Sequence, residues 1–79
     1  MTDITTKKPL RVFGEGFRPY IRLPLDQAKE VSNLLKNHGI RHSVAEDSIS
    51  MDGGPYRTTI DLGRDGDAKS VQAILDSVP

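Results

Sequence analysis

Tyr20-Ile-Arg-Leu-Pro-Leu-Asp-Gln-Ala-Lys-Glu-Val-Ser-Asn-Leu-Leu-Lys-Asn-His-Gly39 decides the fold, because its apolar period changes partway through. Tyr20 to Leu23 alternate, which turns successive side chains to opposite faces of a strand. After Pro24 the apolar residues Ala28, Val31, Leu34 and Leu35 recur at helical spacing, leaving Lys29, Glu30, Asn33, Lys36 and Asn37 on the wet side. Asp26 suits an N-cap, since its carboxylate accepts from an orphan helix N–H, and Gly39 suits the left-handed residue that closes a helix. The spacing therefore predicts a strand over 20–23 and a helix over 27–38.

Downstream, Ile40, His42 and Val44 alternate with Arg41 and Ser43, so a second strand is expected over 40–51, with a bulge or bend where Glu46-Asp-Ser48 breaks the pattern. Asp52-Gly-Gly-Pro55 reads as a turn, and Tyr56 to Leu62 returns as a strand with Thr58, Ile60 and Leu62 on one face, making a hairpin. Gly63-Arg-Asp-Gly66 is a loop, Asp67 an N-cap, and Val71, Ile74, Leu75 and Val78 mark a helix over 68–77. Upstream, Leu10-Arg-Val-Phe13 alternates and Gly14-Glu-Gly-Phe-Arg-Pro19 supplies a turn into Tyr20. Residues 1–8 are polar and aperiodic, which predicts a flexible N-terminal segment ahead of one domain over 9–79.

Strands 20–23, 40–51 and 56–62 with helices 27–38 and 68–77 make the βαββα core of a ferredoxin-like sandwich. This is an α+β fold in which a right-handed crossover puts both helices on one face of an antiparallel or mixed sheet. That architecture normally closes with a strand after the second helix. Here Leu10–Phe13 is expected to fill the same place from the other end of the chain, as in a circular permutant. The rival arrangement is a three-stranded sheet whose open edge is 20–23, which invites pairing between two copies.

Composition narrows the function classes. A chain of 79 residues is one small domain, which buries only about 60% of the surface its unfolded chain exposes. The core must be aliphatic, given two Phe, two Tyr and no Trp, so binding a partner or a second copy is a natural way to bury more. The absence of cysteine excludes disulfides, Cys-based zinc sites and a thiol nucleophile. No apolar stretch is long enough to span a bilayer, and Met1-Thr-Asp-Ile-Thr-Thr-Lys-Lys8 lacks the apolar segment of a secretion signal, so a cytoplasmic protein without membrane partners is expected. Charge is balanced overall but uneven: eight basic and four acidic residues fall in 1–44, and three basic and seven acidic in 45–79. Such a chain can present a basic surface while staying neutral.

Strand parity says where that surface lies. If Leu10, Val12, Ile21, Leu23, Ile40, Val44, Ile60 and Leu62 face the helices, then Arg11, Phe13, Tyr20, Arg22, Arg41 and Arg57 collect on the uncovered face with Ser43, Thr59 and Asp61. Four of the six arginines and two of the four aromatic residues belong to that set. Arg and Tyr are enriched at the energetic centres of protein interfaces, so the leading expectation is an interaction or regulatory module that docks a protein partner, or a second copy as a homodimer, through its sheet face or edge. The alternative is single-stranded nucleic-acid binding, with guanidinium groups on phosphates and rings stacked on bases. RNA-recognition-motif proteins use a comparable sheet in this way, but Arg57-Thr-Thr-Ile-Asp61 carries no ring and lacks that family's Gly/aromatic signature.

Catalytic chemistry finds little support. His38 and His42 straddle Gly39 and do not share a helix face, so they are read as a helix-end residue and a partly buried hydrogen-bonded residue, not as metal ligands. Asp61, Asp65 and Asp67 miss the spacing of a calcium loop and are better explained by turns and capping. Gly14-Glu-Gly16 joins two strands and does not open a helix, so it is not a phosphate loop. The expectation is a chain with no enzymatic activity, no cofactor and no metal site.

Overall fold

The computed structural model describes residues 1–45, 49–50 and 56–78. Along the chain these form β1 (Val12–Phe13), β2 (Tyr20–Pro24), α1 (Leu25–Asn37), β3 (Ser43–Val44), β4 (Ile49–Ser50), β5 (Tyr56–Asp61) and α2 (Ala68–Asp76). The sheet runs β1-β2-β5-β3, and β4 pairs with β5 beyond β3. Every pairing is antiparallel: Val12 lies opposite Ile21, Ile21 opposite Ile60, and Val44 opposite Ile60 from the other side. Since β2 and β3 both run against β5, they are parallel to each other with β5 between them, and α1 makes the crossover. β1 covers the outer edge of β2, so the arrangement with 20–23 at an open edge is overturned. This is a small α+β domain with an antiparallel sheet and two helices. No helix among the described residues is long and apolar enough to cross a membrane.

The core follows the two periods of the sequence. Ile21, Leu23 and Ile60 point inward from the sheet, and Ala28, Val31 and Leu35 from α1 meet Val71 and Leu75 from α2 in one buried cluster with Leu10 and Leu62. One shared cluster puts both helices against the same sheet face. Val12, Leu34 and Ile40 pack at its margin. Val44 has the inward register yet stays 38% exposed, because β3 is a two-residue edge piece beyond the reach of the helices.

Several expectations need adjusting. α1 begins at Leu25, two residues before the expected start, with Pro24 as its N-cap and no side-chain capping bond. Pro24 is still paired with Arg57 in the sheet, so the strand runs directly into the helix. Asp26 is thus already helical and acts on the first-turn dipole, not as the cap. Gly39 does close the helix, at φ 71°. Asp67 caps α2 as expected, its carboxylate accepting from the Ser70 N–H at 3.1 Å. The strand expected from residue 40 starts only at Ser43, so Ile40 and Arg41 lie outside the sheet. The bend expected at 46–48 and the turn at 52–55 lie outside the described residues.

Residues 1–8, expected on composition to be a flexible segment, hold specific hydrogen bonds. Asp3 is buried, and its carboxylate accepts from the N–H groups of Thr5 and Thr6 at 2.7 and 2.9 Å. The buried Gln27 side chain accepts from the Ile4 N–H and donates to the Thr2 carbonyl.

Candidate docking face

The face of the sheet turned away from the helices is set by register. Phe13, Tyr20, Asp61 and Ser43 lie across it in one row, Arg22 and Thr59 in the next, and Arg57 opposite Pro24 beyond them. Antiparallel partners share a face, so these side chains are neighbours by construction. Phe13 and Tyr20 stack, with ring centroids 5.8 Å apart and 29° between planes, while Phe13 stays 48% exposed. Gly14 makes the stack possible. It sits at φ 76°, and a Cβ there would stand 2.6 Å from the Arg18 carbonyl oxygen and 3.2 Å from the Tyr20 ring.

Two ion pairs frame the rings and arginines. Arg18 Nε donates to both carboxylate oxygens of Asp61, at 3.1 and 2.9 Å. That bond, with the Gly63 N–H, holds the Asp61 carboxyl below its ordinary range. At the other end Arg57 Nη2 donates to Asp3 at 3.0 Å. Burial opposes ionisation of Asp3, but the Thr6 and Thr5 N–H groups together with Arg57 outweigh it and hold its carboxyl low. Between these pairs Arg22 is exposed and has no ion-pair partner among the described residues.

Of the six residues expected on this face, five come together. Arg11, Phe13, Arg22 and Arg57 line one open groove of about 300 Å³, and Tyr20 lines the adjoining depression with Arg22, Arg18, Thr59 and Asp61. Arg41 precedes β3 and does not reach the groove; it borders a further hollow with His42 and Ser43 that shares the Arg18–Asp61 pair with the Tyr20 depression. Sequence reasoning missed Arg18 and Asp3, and also Lys8, which lines the groove beside Arg11 and Arg22. Arg18 shares parity with Tyr20 and Arg22, so carrying the alternation two residues back would have found it. Asp3 followed by Thr5 and Thr6 has the local pattern of a side chain that accepts from the next N–H groups.

The histidines have structural surroundings. His42 Nδ1 lies 2.9 Å from the Ile40 carbonyl and must donate to it, so in the neutral ring Nε2 accepts from the Ser32 hydroxyl at 2.7 Å. That bond satisfies a buried serine in the middle of α1. His38 is the C-cap of α1, where its backbone N–H reaches the carbonyls of Leu34 and Leu35.

No protein-family model, no curated protein and no solved structure matches this chain.

Proposed function

We propose that the chain is a non-enzymatic docking module, built as a circularly permuted ferredoxin-like sandwich, that binds a protein partner through its open sheet face in a regulatory or assembly role. The permutant reading is supported by the strand order, in which β1 takes the place beside β2 that a strand after α2 would fill. The docking reading rests on one observation: the stacked pair of Phe13 and Tyr20, with Phe13 half-exposed, stands beside Arg22 on a face that neither helix covers. Aromatic and arginine side chains of this kind are the usual anchors of a protein interface. A second copy is the less favoured occupant, because two such faces would bring two arginine-rich grooves of like charge together. Absence of catalysis is supported by His42 and Asp61, whose polar atoms are engaged in structural bonds.

Single-stranded nucleic acid is the second reading, favoured by the arginine groove adjoining the rings. Asp61 argues against it, since a phosphate chain crossing the aromatic row would meet that carboxylate. The test is a photo-crosslinking residue at position 13 in the producing cell, with the same residue at Lys36 on α1 as control. The expected result is one protein captured from position 13 only, whose purified form loses at least about tenfold in affinity on Arg22→Glu. Crosslinks to nucleic acid, to the chain itself, or to the same proteins from both positions would overturn it.

A further inference from the structure

The groove below the aromatic row is lined by Lys8, Arg11, Arg22 and Arg57, with Thr6 and Phe13 among the rest of its wall and no acidic side chain among its lining residues. Four cations around one opening of about 300 Å³ repel one another, and Asp3 meets only Arg57, from the side of the N-terminal arm. Asp3 is itself saturated by Thr5, Thr6 and Arg57, so it fixes that guanidinium without neutralising the rest. Arg11 and Arg22 have no ion-pair partner among the described residues. A bound anion would relieve the repulsion and gain charge-assisted hydrogen bonds.

We infer that this groove receives the carboxylate side chains of an acidic protein segment, with an apolar neighbour in that segment covering the exposed ring of Phe13. The inference rests on the docking reading above and names the chemistry of the partner. Two features favour an acidic segment over a polynucleotide. The basic lining is a local cup and not a track, because the row beyond Arg22 and Thr59 carries Asp61 paired to Arg18. Arg57, one of the four cations of the cup, also already takes a carboxylate from its other side, that of Asp3 at 3.0 Å.

The experiment is a titration of the isotope-labelled chain with a capped heptapeptide of six glutamates around one leucine, followed by backbone and Arg side-chain NMR shifts. The expected result is saturable shifts confined to residues 6–13, Arg22 and Arg57, with affinity falling at least about fivefold between 0.05 and 0.3 M salt. Arg11→Gln with Arg22→Gln should abolish them while leaving the rest of the spectrum folded, and Lys36→Gln should not. If the neutral pair perturbs folding, Lys8→Gln alone should weaken binding about threefold. Shifts spread equally over Lys29 and Lys36, no shifts at millimolar peptide, or tighter binding of a ten-residue oligothymidylate would each overturn the inference. A negative peptide titration alongside specific capture of a protein from position 13 would remove the acidic-segment assignment and leave the docking face standing.

Discussion

Gly14 and Asp3 carry more than their size suggests. Gly14 combines a left-handed backbone with a 2.6 Å approach to the Arg18 carbonyl, so Gly14→Ala adds a strained φ and a clash that the backbone must move to relieve. Left-handed geometry alone costs about 1–2 kcal/mol for a residue with a Cβ. The melting temperature should fall by at least about 5 °C, and the Tyr20 ring signals should shift as the stack opens. Asp3 gives a pH signature. Its carboxyl is held below the ordinary value of 3.8, so its contribution to stability is present above that value and is lost as pH falls through the lower native one. Asp3→Asn should cost about 1 kcal/mol at neutral pH, with the gap to the parent narrowing in denaturant melts below pH 3.8.

Among the elements, β1 shows how a short edge is kept from pairing with other chains. It has two residues, and on its open side the Gln72 amide from α2 accepts from the Val12 N–H at 2.9 Å and donates to the Leu10 carbonyl at 3.1 Å. One side chain thus occupies the donor and acceptor that another strand would use. Gln72→Ala should speed hydrogen exchange at the Val12 amide by about tenfold and produce a dimer that grows with concentration in light scattering. If exchange rises but mass does not, the clamp protects β1 from water and not from other chains. The elements themselves were largely legible in the sequence. Ile21 and Leu23 against Tyr20 and Arg22, and Thr58 and Ile60 against Arg57 and Thr59, alternate because one sheet face is buried and the other is not. Helix spacing at Ala28, Val31 and Leu35 was equally plain, since a period of 3.6 has no other use here. What escaped were contacts made across long sequence separations by polar side chains. Gln27 to Thr2, Gln72 to Val12 and Arg57 to Asp3 leave no periodic trace. Alternation read from Ile40 puts Arg41 on the candidate face, whereas the closing turn of α1 delays the sheet until Ser43.

At the scale of the whole molecule, ten buried apolar residues among those described form a core that holds both helices to the sheet. At about 0.05–0.15 kcal/mol per residue, a chain of this length has a total stability of roughly 4–12 kcal/mol. Ile60 is fully buried on β5, the strand that pairs with β2, β3 and β4, and lies between Ile21 and Val44. Ile60→Ala should cost about 2–5 kcal/mol, a large share of that total, and lower the melting temperature by at least about 10 °C in calorimetry. A smaller drop would mean that α1 and α2 hold together without the strand. The central place of β5 also bears on the making of the protein. β5 emerges from the ribosome after the three strands it joins, so until residue 61 is out, β2 and β3 have no common partner and the nascent chain carries its apolar strands uncovered. Assembly of the sheet is therefore a late event in synthesis, and a chain stalled before Tyr56 would be a substrate for chaperones or proteases instead of a partly working domain.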